Sequence, residues 1–450
     1  MQNEERDRGK LKDLSSKAIA NLGFDEPLGP EDKRLVQLND VRGDFKEYNL
    51  LWQLGIREPD GPAETTLERH RLLFGGHQGC GKSTELLQLA QKLHRPDRYF
   101  VVFLDALKEL DIHNLRYSDI SLAQARALLL QLQNSGTDVP NVFLTPLETW
   151  FDERLRKRET TKDFALQITA SAKAKSGVPL LFELFAQLQS AIKTNSTYKE
   201  EVRTVVRNTF SEFAEAFNTL INHAEDRISE AHLGKRVLFI VDGTDRLRSD
   251  DAEDFFINDV YQPQLINTNI IYCAPIILLT ERSVRHSFES FRLPMIKVKE
   301  KGVHETLVQP MEKLRELVTN RVSPELFEDQ LTIDYLIEYS GGHVRDLIRL
   351  LMYALREAQG QLITREMAGE AIRQLATDYR RLIEQDDYQL LVEIDCAPND
   401  FAPISDKTRR MLYDLVLLEY NSYWWQSHPA VQTLPGYQRA LAQSYPERAC

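Results

Sequence analysis

Cysteine is scarce and scattered. Cys80, Cys273, Cys396 and Cys450 stand far apart among 450 residues. They show neither a disulfide framework nor the close spacing of a structural zinc site, so a reducing, cytoplasmic setting is expected. Long apolar runs are missing too. The longest, Ile270 to Leu279, falls well short of the ~20 residues that a membrane helix needs, and it reads as buried strand. No membrane association is expected. The opening residues MQNEERDRGK are charged and lack the apolar core of a secretory signal. Positive charge is in deficit: 56 Lys and Arg against 68 Asp and Glu give a net charge of -12. That balance argues against a general polyanion binder, because phosphate backbones demand clustered cations. Repeats at solenoid periods are absent. What remains is an ordinary globular composition, 42% hydrophobic and 28% charged.

Strands and helices alternate through the first two thirds of the chain, which predicts a parallel sheet covered by helices. Leu72 to Gly75, Tyr99 to Leu104, Val237 to Val241 and Ile276 to Leu279 read as strands, with Met295 to Val298 as a fifth at an edge. Between the second and third strands lies a long helical stretch. Val202, Val206, Phe210, Phe213, Phe217, Leu220 and Ile221 form one amphipathic stripe. Residues 146–192 read as an insertion, either a cap on the sheet or a partner surface. The basic run Arg154 to Arg158 reads as a solvated helix face. The predicted division is an N-terminal helical arm (1–33), an α/β core (34–300, with helices to 232), a helical lid (301–375) and a C-terminal winged-helix-like domain (376–450). In the last of these, Asp406 to Val416 reads as a helix and Asn421-Ser422 as a hairpin turn. Trp424 and Trp425 are expected to pack the wing.

The sharpest signal is Gly76-His77-Gln78-Gly79-Cys80-Gly81-Lys82-Ser83-Thr84. It matches G-x-x-x-x-G-K-[ST] at every constrained position, after a strand and before a helix. Glycines let successive amides turn inward on phosphate oxygens, and the following helix adds its positive end. Lys82 is expected on the β- and γ-phosphates and Ser83 on Mg²⁺. Downstream, Val237 to Val241 ends in Asp242, placed to hold the same metal. The expected ligands are ATP or ADP with Mg²⁺.

Asp242-Gly243-Thr244-Asp245 resembles the strand ending of the STAND class of P-loop ATPases, which are related to AAA+ proteins, and also that of the KAP ATPases. Leu278-Leu279-Thr280-Glu281-Arg282 is similar to the Thr-x-Arg strand end of that class. Ser340-Gly341-Gly342-His343-Val344-Arg345 resembles the start of the AAA+ lid helix. Trp425-Gln426-Ser427-His428-Pro429 resembles the winged-helix histidine motif. The resemblance implies a P-loop NTPase fold, a doubly wound parallel sheet with helical insertion, lid and winged helix. It implies that Arg282 reads the γ-phosphate, that Arg345 serves as a second sensor, and that His428 senses ADP. It further implies adenine as the base, met through Val41 to Asp44, and an oligomerising switch with a separate effector protein, as in bacterial antiphage defence. Several departures matter. Gly243 stands where the class places a catalytic Glu, leaving Asp245 to orient water and making turnover slow. Val344 and Pro429 also depart from the pattern. Two rival readings stand beside the switch. One is a DNA-binding regulator resembling origin-recognition ATPases, motivated by Lys407, Arg409 and Arg410. The other is a nucleotide-binding scaffold with little turnover.

Overall fold

The computed structural model describes residues 2–24, 26–64, 68–112, 115–156, 177–194, 196–247, 249–397, 401, 403–421 and 424–445. Lys157 and Arg158 of the basic run, Ser422 of the hairpin turn and Cys450 lie outside the described residues, as do positions 157–176 of the inserted stretch.

Five strands form one sheet: β1 Arg71–Gly76, β2 Tyr99–Asp105, β3 Arg236–Asp242, β4 Asn269–Pro275 and β5 Glu289–Leu293, in the order β2-β3-β4-β1-β5. The β2–β3 and β3–β4 pairs are parallel, with Asp105 opposite Asp242. Almost every residue of β3 and all of β4 are buried. A parallel strand covered on both faces must be apolar throughout, and that is why these segments read as unbroken hydrophobic runs. The sheet is that of an α/β P-loop NTPase. One strand, β4, separates β1, which leads into the P-loop, from β3, which ends in Asp242.

Two strand boundaries differ from the sequence reading. The fourth strand is Asn269–Pro275, and Ile276–Thr280 is a 3-10 turn. Pro275 has no N–H to continue a ladder, so the apolar run outlasts the strand. The edge strand is Glu289–Leu293, not Met295 to Val298. Met295, Ile296 and Val298 are buried without being part of a strand.

The chain divides into two compact units. One comprises Met1–Glu47, Gly76–Leu87 and Arg292–Cys450; the other comprises Tyr48–Gly75 and Gln88–Phe291. The second unit holds the sheet, apart from Gly76 and the last two residues of β5. It also holds the long helical stretch. The predicted single stripe is broken at Thr209 into the helices Ser196–Asn208 and Phe210–Glu230. Phe213, Phe217, Leu220 and Ile221 lie buried in one core with Phe239 of the sheet. From the inserted stretch, the helix Val178–Thr194 sends Leu181, Leu184, Phe185 and Leu188 into that same core. Trp150 closes it, its Nε1 donating to Thr209 Oγ1 at 3.2 Å. A buried ion pair joins Asp119 to Arg203, with Nε to Oδ1 at 3.2 Å.

The first unit contains the start of α1 (Lys82–Leu93), then α2 (Val344–Ala358), α3 (Arg365–Arg380), α4 (Asp387–Cys396) and α5 (Asp406–Tyr413). A hairpin comes next, β6 Leu417–Asn421 against β7 Trp424–Ser427, antiparallel. Trp424 and Trp425 are buried, and Trp424 stacks on Tyr420 with ring centroids 4.5 Å apart. These aromatics pack the hairpin. α5 stops at Tyr413, short of the expected Val416, and Leu415 takes a left-handed backbone at φ +62° that no α-helix can contain. Among the described residues no helix is long and apolar enough to cross a membrane.

Candidate nucleotide site

The loop after β1 has a geometry that only its own sequence permits. Gly79 and Gly81 sit at φ +83° and +108°, where other residues are strained. A Cβ on Gly79 would also lie 2.9 Å from Arg345 Cβ and 3.0 Å from His343 Nε2. A Cβ on Gly76 would lie 2.7 Å from the Leu293 carbonyl. α1 begins at Lys82, so the positive end of its dipole faces the loop. Lys82 folds back over the turn. Its Nζ donates to Gly76 O at 3.0 Å and His77 O at 2.9 Å, and the residue is 3% exposed. The Thr84 hydroxyl accepts from the Leu28 amide at 3.3 Å. Ser83 follows Lys82 in the first turn of α1 and is half-buried. Cys80 is buried as a free thiol.

Two residues named in the sequence reading take other roles here and hold the loop through contacts distant in sequence. Arg42, 2% exposed, donates to Cys80 O at 2.7 Å and Pro294 O at 3.1 Å. This is the Arg of the Val41 to Asp44 segment, and here it braces the P-loop backbone. The imidazole of His77 is fully buried between two partners. Its Nδ1 lies 3.1 Å from Leu412 O, and its Nε2 accepts from the Glu419 amide at 2.8 Å. Donating on one nitrogen and accepting on the other is the neutral tautomer. Burial, with His343 and Lys82 nearby, holds its pKa down to about 3.

α2 starts against the same loop. His343 caps α2, and its Nε2 donates to Gln78 O at 2.8 Å; the Arg345 amide donates to Gly79 O at 3.3 Å. The structure therefore places Arg345 beside Gly79. One turn in, Asp346 is a buried hub. His343 Nδ1 lies 2.9 Å from its carboxylate and His428 Nε2 lies 3.2 Å away; Arg349 Nη1 donates at 3.0 Å and the Tyr379 hydroxyl also donates. Burial opposes charge on Asp346, but these imidazoles hold its carboxyl well below the usual range. His428 sits on this carboxylate, and its Nδ1 accepts from the Ala430 amide at 3.1 Å. Burial lowers its pKa. A chain of contacts thus runs from His428 through Asp346 and His343 to Gln78 of the loop.

In the other unit, Asp242 ends β3 and is 4% exposed. The ligand atoms of Asp242, Asp245 and Cys273 all lie within 4.8 Å of one another. Thr244 fixes the turn by donating its hydroxyl to the Cys273 carbonyl. Two carboxylates converging at this distance fit a divalent cation, and hard Mg²⁺ would take the oxygens in preference to the thiol. Sequence reasoning missed Cys273, because it placed the fourth strand too late in the chain. Gly243 is explained by its surroundings. It sits at φ +85°, and a Cβ there would lie 2.8 Å from Leu107 Cγ. No side chain, a glutamate included, fits that position without a shift. Asp105, level with Asp242 on β2, is occupied as a cap for the Leu107 and Lys108 amides at 3.1 and 3.4 Å. Thr280 ends the 3-10 turn, donating its hydroxyl to Ile277 O at 2.7 Å, and Arg282 is exposed.

The buried imidazoles carry a pH signature. Between pH 6.5 and about 3 the unfolded chain binds a proton at His77 that the folded chain refuses. Stability contributed there is full at neutral pH and is lost as pH falls, by up to ~1.4 kcal/mol per pH unit. His428 acts in the same direction. Glu419, raised by burial to about 7 although Arg292 pairs with it, acts in the opposite one. Urea melts from pH 6.5 to 4.5 should show a shallower loss of stability in His77→Gln than in the unaltered chain. Equal slopes would mean that His77 is not buried neutral.

No protein-family model matches this chain, and no curated protein does. Among solved structures, a Walker-type ATPase of Pyrococcus abyssi is similar at 13% identity and a TM-score of 0.37, over 92% of this chain and 99% of that one. The ORC1 protein of Aeropyrum pernix, in complex with DNA, is similar at 13% identity and a TM-score of 0.34, over 92% of this chain and 95% of that one.

Proposed function

We propose that this chain is a Mg²⁺-dependent ATPase that works as a nucleotide-controlled switch. One observation carries the reading: a complete P-loop whose Gln78 and Gly79 carbonyls are bonded by the first residues of the lid helix. Loop amides and Lys82 would grip the triphosphate, and Arg345, beside Gly79, would meet its far end. Ser83 in the loop and Asp242 on the sheet are the metal ligands this reading requires. Bound Mg²⁺ would neutralise charge on the phosphate oxygens. With Gly243 closed to a side chain, Asp245 is the carboxylate left to orient water, so turnover is slow.

Nucleotide state would be read by the lid and hairpin. Inverting a 1:99 population takes roughly 5.5 kcal/mol of differential binding, and a few charge-assisted bonds to one γ-phosphate supply much of that. The ATP form would self-associate and engage a separate effector protein, with antiphage defence as the setting. Arg282 and His428 belong to this proposal as γ-phosphate and ADP sensors, His428 acting through Asp346. The DNA-binding alternative is weakened by charge pairing. Lys407 and Arg410 lie 3.0 and 2.8 Å from Asp387, and Arg409 lies 3.7 Å from Asp406.

The test is light scattering of the full chain with MgADP and with a non-hydrolysable MgATP analogue. A larger mass in the second state is expected. Identical masses in both states, with nucleotide shown to be bound, would sink the switch while leaving the ATPase.

A further inference from the structure

His77 occupies a P-loop position where the motif places no constraint, yet it is one of the most committed side chains in its unit. Its own carbonyl accepts from Lys82 Nζ at 2.9 Å. Its ring holds Leu412, in the last turn of α5, and Glu419, in the middle of β6. Main chain and side chain of one residue therefore join the phosphate-gripping ammonium to the C-terminal hairpin. Both ring contacts fall on groups that lack a regular partner. Leu412 O is among the last carbonyls of a helix, which α5 cannot satisfy itself. The Glu419 amide points away from β7, on the open edge of a two-stranded sheet. The same edge is anchored twice more: Glu419 O accepts from the Met295 amide at 3.2 Å, and its carboxylate pairs with Arg292. A neutral imidazole is the one side chain that offers a donor and an acceptor on opposite sides of a rigid ring.

We infer that His77 is a positioning residue that couples the P-loop to the C-terminal hairpin, so that nucleotide in the loop is read at Glu419. The inference rests on the P-loop binding nucleotide. An ammonium drawn onto phosphate must loosen its bonds to Gly76 O and His77 O. The peptide of His77 then moves, and its ring carries the movement to β6. Linkage makes the coupling reciprocal: freeing the hairpin changes nucleotide affinity by the same factor that nucleotide changes hairpin protection.

The experiment is hydrogen exchange of the Glu419 amide in the full chain, with and without MgADP or a non-hydrolysable MgATP analogue. Calorimetry on the same samples reports binding. In the unaltered chain nucleotide is expected to shift Glu419 protection roughly tenfold, the scale of one buried hydrogen bond. His77→Gln, whose carbonyl can accept from Glu419, should keep most of the response. His77→Asn, which reaches only as far as Leu412, should bind nucleotide and lose the response. The two variants are compared with each other, so a general loss of stability cannot imitate the pattern. Nucleotide binding without any change at Glu419, or an equal response in the Asn and Gln variants, overturns the coupling alone. No nucleotide binding by the unaltered chain overturns the ATPase reading and the coupling with it.

Discussion

Lys82→Ala should lower affinity for ATP in the presence of Mg²⁺ by at least about a hundredfold. A hydrogen bond from a charged donor contributes roughly 1.5–3 kcal/mol, and each 1.4 kcal/mol is about tenfold in Kd. An ammonium shared between two phosphates makes two such bonds. Lys82 is 3% exposed and already lies over the loop, so little ordering remains to be done on binding. The same bonds to Gly76 O and His77 O brace the turn. A thermal melt of the variant should therefore accompany calorimetry, to separate a loosened loop from a lost contact. Asp242→Ala provides the contrast. It removes a carboxylate from the sheet end and keeps the loop sequence and Lys82, so phosphate release should vanish while nucleotide still binds. An unchanged Kd for Lys82→Ala would remove the basis of the nucleotide site.

The second large effect is on stability. Asp346→Ala should destabilise the unit that contains α2 by ~3–5 kcal/mol, the cost of removing one partner from a buried charged network. Asp346 is 1% exposed and faces His343, His428, Arg349 and Tyr379. Arg349 keeps a second partner in Asp378 at 2.8 Å, which softens the loss. Among the described residues the imidazoles have no such alternative for their Asp346-facing nitrogens. For a unit of this size the melting midpoint should fall by roughly 6–20 °C. Asp346→Asn should recover part of that, because an amide oxygen still accepts. Melting within a degree of the unaltered chain would show that these groups are solvated, not packed around a charge.

Local features were legible in the sequence, and long-range ones were not. Motif positions 76–84 were legible because a phosphate loop is contiguous and its glycines must stand at fixed spacing. The strand ending in Asp242 was legible because burial on both faces leaves an apolar run with a polar stop. β5 was not, because Glu289–Leu293 is an edge strand with two exposed residues and no alternation to detect. The end of β4 was misplaced because apolar residues continue past Pro275 into a turn, although the proline itself was a readable stop. The His77–Leu412 contact spans 335 residues of sequence, and nothing at either end announces it.

The amino-acid order alone determined the glycine-rich turn after β1, the acid that ends β3 and the helical character of the chain beyond the sheet. These depend on backbone conformation and burial, properties that short segments encode by themselves. Tertiary structure alone decided that Gly243 has no room for a side chain, that Cys273 stands with Asp242 and Asp245, that His77 is a buried partner of the hairpin, and that Asp346 is a buried partner of His428 just beyond it. Such facts depend on which distant atoms meet, and a buried polar group acquires its role from the neighbour that satisfies it.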